Sequence, residues 1–310
     1  MSQPPVIEAR GVAKTFRSGL VLRQRTQAVQ GASFQIMPGQ TLAVVGESGC
    51  GKSTLARLAA GLLEPDAGEV RFMGRALSSW PRKKLRQQLQ VVFQDADGSL
   101  NPVLTARKLL LEPLRLHGWS RSRAEERLPS LLDMVGLTPE LLSRHPHEMS
   151  GGQRQRVCLA RAMSLEPGLL IADEPVASLD RSVQAQILSL LKDYQERKGL
   201  SYLYISHDLD TVRVMADQVA VMLGGVFVET GPAQEVLQQP AHPYTRLLLE
   251  VAGIDAHEPE RAVAGENGTS SLTGCPFAAA CPLAAPACHN ALPDLTPIQP
   301  SRSVRCHRVR

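Results

Sequence analysis

Residues 41–58 read TLAVVGESGCGKSTLARL. Residues 42–45 are apolar and partly β-branched, as in a strand buried on both faces. The run meets Gly46, Glu47, Ser48, Gly49, Cys50, Gly51, Lys52 and Ser53, which fit G-x-x-x-x-G-K-[ST]. From Thr54 onward Leu55, Leu58, Ala59 and Leu62 follow helical spacing. Strand, glycine loop and helix in that order commit the chain to an α/β fold. Small residues let successive backbone N–H groups turn inward around phosphate oxygens. The helix N-terminus adds partial positive charge. Lys52 is within reach of β- and γ-phosphates, and the Ser53 hydroxyl is a ligand for Mg²⁺.

A second apolar run ends in acid: PGLLIADEPVASLD at 167–180. Residues 169–172 read as another buried strand. Asp173 at its end is placed to hold Mg²⁺. Glu174 projects differently and is placed to polarise an attacking water. Before this pair lies MSGGQRQR at 149–156, where a serine and two glycines open a helical run and offer a second anion site.

Together these segments resemble the nucleotide-binding subunits of ABC transporters, over about residues 6–250. Ser150, Gly151, Gly152 and Gln153 look like that family's signature motif, with Met149 where Leu is usual. The resemblance implies that this motif closes over ATP held by a partner subunit. Gln94, ending LQVVFQ, is similar to the glutamine that senses Mg²⁺ and couples to the membrane subunit. Ser178, Leu179 and Asp180 look like the loop that crosses the dimer interface. His207, in YLYISHD, resembles the switch histidine that contacts the γ-phosphate. Phe16, in VAKTF, looks like the aromatic that stacks on adenine, although RSGLVLRQRTQ separates it from the next strand. The implied fold is a P-loop NTPase: a RecA-like core, an antiparallel β layer and a helical subdomain.

FQDADGSLNP, HPYTRLLLE and GCPFAAACPLAAPAC resemble the dipeptide, oligopeptide and nickel importer subfamily more finely. Some members of that subfamily bind a [4Fe–4S] cluster at the last of these, which points to Cys275, Cys281, Cys288 and Cys306. Nothing in this tail reads as a hydrophobic core. The spacing alone leaves alternatives. Gaps of five, six and seventeen residues contain no close pair of the kind structural zinc prefers, while iron–sulfur clusters tolerate irregular spacing. Zinc, with His289 or His307 as substitute ligands, and free thiols stay open.

The organisation follows. Residues 1–254 form the nucleotide-binding domain, with a helical subdomain at about 95–162. Residues 255–274 are polar and glycine-rich, as in a linker, and 275–310 form the cysteine extension. Three segments, 6–12, 28–36 and 69–73, alternate apolar and polar side chains as in an antiparallel layer. No apolar run approaches the ~18–20 residues that span a bilayer, and no signal-peptide core is visible. A compartment that keeps thiols reduced makes disulfides the weak reading. The net charge of +4 makes no demand for nucleic acid.

The expected function is an ATPase that energises uptake of di- or oligopeptides from the cytoplasmic face of the inner membrane. The expected partners are a second, different ATPase subunit, two transmembrane permeases and an extracytoplasmic substrate-binding protein. Nickel or another small solute is the alternative cargo. A soluble ABC ATPase of DNA repair is disfavoured because only 55 residues separate Gln94 from Ser150, too few for a long coiled coil. A translation factor is disfavoured because the chain has one phosphate loop. A redox or metal sensor centred on the tail ranks last, since the acid pair is intact.

Overall fold

A computed structural model describes residues 3–18, 24–94, 96–177, 179–253 and 274–309. The expected linker, apart from Gly274, lies outside these residues, as does Ser178. In chain order, β1 (Ile7–Ser18), β2 (Gln24–Ile36) and β3 (Thr41–Val45) lead to α1 (Lys52–Ala59). Then come β4 (Ala67–Phe72), β5 (Arg75–Ala76), α2 (Arg82–Gln88) and β6 (Leu89–Val92). Helices α3 (Ala96–Ser99), α4 (Ala106–Leu116), α5 (Arg121–Met134) and α6 (Gly151–Met163) follow. β7 (Leu169–Asp173), α7 (Arg181–Lys198), β8 (Ser201–Ile205), α8 (Leu209–Met215), β9 (Gln218–Leu223) and β10 (Val226–Pro232) alternate thereafter. The rest is α9 (Ala233–Gln238), α10 (Pro243–Val251), α11 (Pro286–Asn290), β11 (Thr296–Gln299) and β12 (Arg302–Val304). The chain divides into two compact units. One comprises Met1–Ile7, Ile36–Gln40 and Arg71–Tyr204, and the other Glu8–Gln35, Thr41–Val70 and Ile205–Arg310.

The second unit holds the phosphate loop. Its strands run in the order β11-β12-β10-β9-β3. β3 pairs parallel with β9, Val45 opposite Val221, and every residue of β3 is buried. A parallel strand flanked on both faces needs apolar side chains, which explains the unbroken LAVV after Thr41. β9 and β10 form an antiparallel pair, and β12 adds to β10 with Glu229 opposite Val304. The strands holding the three alternating segments are neighbours in the order β2-β1-β4.

The tail belongs to this unit and has buried side chains, although nothing in its sequence reads as a hydrophobic core. Phe277, Ala278 and Val304 are buried. So is an ion pair: Arg302 donates to Glu229 Oε1 from Nη2 at 2.6 Å and from Nε at 3.2 Å. Glu229 also accepts from the backbone N–H groups of Ala241 and His242. A carboxylate removed from water needs its lone pairs filled, and here four donors fill them. The sequence pattern hides this attachment because it rests on a few scattered residues, not on a periodic stripe.

In the first unit β8, β7 and β6 are consecutive strands, and β6 and β7 pair parallel with Val92 opposite Ala172. Both β7 and β8 are buried at every position. Helix α7 is fastened to β8 by the Tyr202 hydroxyl, which donates to Leu191 O at 2.8 Å. Helices α4, α5 and α6 pack on one another. Their stripes (Leu110 and Leu114 on α4, Leu128 and Leu132 on α5, Val157 and Leu159 on α6) are buried, as helical spacing requires.

Candidate functional site

The phosphate loop is shaped by close backbone approaches at its two ends. A Cβ on Gly46 (φ +150°) would sit 2.1 Å from the Met222 carbonyl oxygen, and one on Gly51 (φ +112°) 2.0 Å from that of Ala28. Only glycine fits either position. Gly51 is the N-cap of α1, and no side chain caps that N-terminus. Glu47, Ser48, Gly49 and Ser53 are exposed, while Gly46, Cys50 and Lys52 are buried and Thr54 is half-buried. Lys52 Nζ donates to Gly46 O at 2.6 Å and Glu47 O at 2.8 Å. The ammonium thus closes the loop onto itself. Burial pushes the Cys50 thiol pKa up, against the opposing pull of Lys52, so this cysteine is held as an inert small side chain.

Two support residues escaped the sequence reading. Tyr244 is buried and accepts from the Glu47 N–H at 3.1 Å. Gly225 N–H donates to Cys50 O at 2.9 Å. The HPY string around Tyr244 was visible as a subfamily mark, but nothing in it reveals which backbone group the phenol meets. Phe16 and His207 lie in this same unit, and both are exposed. His207 follows Ser206 and precedes Asp208, whose carboxylate caps α8 by accepting from the N–H groups of Asp210 and Thr211.

The first unit carries the acids and the second glycine motif. Asp173 ends β7 and is buried. Glu174 is half-buried with φ +50°, a left-handed conformation that costs a non-glycine residue roughly 1 kcal/mol or more. The segment after it is held from α6: Gln155, buried, donates to Pro175 O at 2.8 Å. Nothing in its sequence context distinguished Gln155 from other polar helix residues. Gln94 is exposed, just past β6.

Ser150 is the N-cap of α6. Its hydroxyl accepts from Gln153 N–H at 3.3 Å, and Gln153 Oε1 accepts from Ser150 N–H at 3.0 Å. These two residues, with Gly152, Leu179 and Asp180, line a surface cavity of about 410 Å³. Asp180 itself caps α7 by accepting from Val183 N–H at 2.9 Å. The signature-like residues and the loop expected to cross a dimer interface therefore share one exposed concavity.

The four tail cysteines carry no disulfide. Cys288 is buried, and Cys275, Cys281 and Cys306 are half-buried. Burial pushes the Cys275 thiol pKa up, and its three companions add to the rise. Each sulfur accepts a backbone N–H: from Phe277 at Cys275, Leu283 at Cys281, Ala285 at Cys288 (3.5 Å) and Arg308 at Cys306 (3.4 Å). Among the described residues no group of three or more His, Cys, Asp or Glu side chains is arranged to hold one metal ion.

Comparison with known proteins decides the family. Residues 29–177 match the family model "ABC transporter", and 228–288 match "Oligopeptide/dipeptide transporter, C-terminal region". The oligopeptide transport ATP-binding protein AppF of Bacillus subtilis is 42% identical over 99% of this chain and 98% of its own length. This chain belongs to the ABC transporter ATP-binding proteins. A further relative, the di/tripeptide transport ATP-binding protein DppF of Pseudomonas aeruginosa, is 43% identical over 92% of this chain and 91% of its own. Among solved structures, the dimeric ATP-binding cassette MJ0796 bound to ADP and Pi has a TM-score of 0.68 at 27% identity. That match covers 73% of this chain and 98% of the other. The ATP-binding subunit described above is accordingly a P-loop ATPase with the cassette fold.

Proposed function

We propose that this ATPase energises uptake of di- and oligopeptides through an ABC importer. The observation that carries the reading is the union, in one chain, of the cassette and the oligopeptide/dipeptide C-terminal region, matched by relatives along their whole length. In this reading Lys52 and the loop of residues 46–54 hold the phosphates, Phe16 stacks on adenine, and Ser53, Gln94 and Asp173 serve Mg²⁺. Glu174 polarises the attacking water, and His207 contacts the γ-phosphate. Ser150–Gln153 and Asp180 act on the ATP of a second cassette, a related but different subunit. Support for that trans role is the exposed concavity that they share.

The transmembrane path belongs to two permease subunits, and a substrate-binding protein delivers the cargo. Among the described residues no helix is long and apolar enough to cross a membrane. The place proposed for this subunit is peripheral, at the cytoplasmic face. Cargo never meets this chain in such a complex, so the choice between peptides and nickel or another small solute is made elsewhere.

We further propose a [4Fe–4S] cluster on Cys275, Cys281, Cys288 and Cys306. The fit is chemical: four soft donors with irregular gaps, each sulfur receiving a backbone N–H, as suits thiolates that carry charge. When bound, the cluster would supply cross-linking of the tail. It takes no part in hydrolysis.

Reconstitution with the permeases and binding protein in proteoliposomes tests the main reading. Glu174→Gln should still bind ATP while turnover and peptide uptake fall by at least ~10²-fold. Wild-type turnover in this variant, or co-purification with nucleic acid in place of membrane proteins, would sink it. Iron and sulfide analysis of anaerobically purified protein tests the cluster, and stoichiometric zinc without iron would refute it.

A further inference from the structure

The cysteine segment reaches the back of the phosphate loop at two points, through residues outside every nucleotide motif. At the first, Tyr244 accepts from Glu47 N–H, the amide that follows Gly46. Phe277, two residues beyond Cys275, packs edge-on against the Tyr244 ring, with centroids 5.5 Å apart and planes at 61°. His242 adjoins both residues, its ring centroid 6.3 Å from that of Phe277. Its Nδ1 accepts from Tyr244 N–H at 3.0 Å, and its ring hydrogen-bonds the backbone of Arg305, the neighbour of Cys306. At the second point Pro276 lies so near Gly224 that a Cβ on that glycine would be 2.9 Å from the proline Cβ. The next residue, Gly225, donates its N–H to Cys50 O. Residues beside Cys275 and Cys306 thus fix the phosphate loop at positions 47 and 50.

We propose that Tyr244 is a positioning residue for nucleotide and that the four-cysteine segment holds it in place, so that ligation of the thiols sets nucleotide affinity. The inference rests on the reading of the phosphate loop as the ATP site and of the thiols as one ligand set. The physical cause is preorganisation. A loop already tied at 47 and 50 needs no ordering when phosphate arrives, whereas a loop released there must lose that freedom on binding. A phenol packed on Phe277, with its own backbone N–H held by His242, keeps its acceptor in one place. The same phenol on a loosened segment does not. This gives a function to the HPY string and explains why four cysteines stand near the end of an ATPase that does not use them for hydrolysis.

The test is Mg-ADP and Mg-ATP affinity of the full-length chain, measured by calorimetry, with steady-state kinetics on the assembled importer. Tyr244→Phe keeps the ring stack and removes only the acceptor. Its affinity should fall by roughly 3- to 10-fold, as for one hydrogen bond, with KM rising by a similar factor and kcat within about twofold. Cys306→Ser should weaken binding comparably in the wild-type background and much less in Tyr244→Phe, because it acts through the Tyr244 contact, whereas Cys275→Ser should keep part of its effect through Pro276 and Gly224. A chelator that strips the thiols should reproduce the cysteine variants without any substitution. Unchanged affinity in Tyr244→Phe overturns the positioning role. A Cys306→Ser effect that simply multiplies with Tyr244→Phe, or chelation without effect on affinity, overturns the coupling. Lys52→Ala serves as control: if it binds ATP normally, the phosphate-loop reading itself has failed, an outcome distinct from the others.

Discussion

Two glycine-rich helix starts in this protein look alike in sequence and are prepared differently. At 46–53 the helix begins on a left-handed glycine with no side-chain cap, and the lysine is folded back onto two loop carbonyls. At 150–153 the helix begins on a serine whose hydroxyl, together with the Gln153 amide, forms a closed capping box. Both N-termini carry partial positive charge. Only the first is left open by its own chain. The second gives up a reciprocal pair of hydrogen bonds, each worth about 1 kcal/mol, before it meets an external phosphate. An open cradle suits the group that binds nucleotide first, and a self-capped one suits a surface that engages late, when a partner brings its ATP.

Glycine substitution should separate the two starts most widely. Gly51→Ala drives a methyl to 2.0 Å from the Ala28 carbonyl at φ +112°, so nucleotide binding should be lost beyond about 100-fold. Gly152→Ala meets only the end of the Leu179 side chain, at 3.2 Å, and adds a better helix former. The isolated chain should then keep its ADP affinity and its melting temperature. Equal damage from the two changes would erase the contrast.

Charge comes next. Lys52→Ala removes the ammonium that, in the proposed reading, faces the β- and γ-phosphates, and should weaken ATP binding by roughly 10- to 100-fold, the range for hydrogen bonds to charged groups. Ser150→Arg in the same chain should leave that affinity alone and instead lower ATP occlusion at the partner's phosphate loop, measured in mixed complexes. Loss of occlusion at the variant chain's own loop would show the trans arrangement to be wrong.

Acid should distinguish the supports of the two motifs. His242, behind the phosphate loop, has its pKa lowered to about 4 by burial, against the opposing pull of Glu229. Between about 6.5 and about 4 the unfolded chain binds the proton that the folded one refuses, so stability falls as pH falls through that window. The loss is about 2 kcal/mol by pH 5. His242→Asn should flatten this part of the urea-midpoint profile. An unchanged profile would mean that the ring is not held neutral. The smallest effect belongs to the capping box itself. Ser150→Ala should cost about 1 kcal/mol of stability, with no change in the pH dependence between 6.5 and 4.

Much of the architecture was legible in advance. The unbroken apolar runs at 42–45 and 169–172 are buried strands, and the leucine stripes of α4 and α5 are core, because burial on both faces or on one stripe writes itself directly into residue type. The site was legible only in its contributors. Nothing at Glu174 announces a left-handed backbone, since glutamate is a poor choice for φ +50° and only the surrounding fold enforces it. Gln155 is one polar residue among several on α6 until its amide is seen on Pro175 O.

What the sequence determined alone is the chemistry that short, contiguous segments carry. A strand, a turn that needs glycine at both ends, a lysine and a helix start lie within a few residues, so local geometry suffices to make them a phosphate loop. What only the tertiary structure decided is which distant groups hold that loop and which close on themselves. Tyr244 lies 197 residues from Glu47, and Arg302 lies 73 residues from Glu229. Contacts of that span depend on how strands β9, β10 and β12 align, and strand register is settled by the packing of many side chains at once. A proline-rich tail with four cysteines therefore read as an appendage, until the fold set its phenylalanine on the tyrosine that meets the phosphate loop.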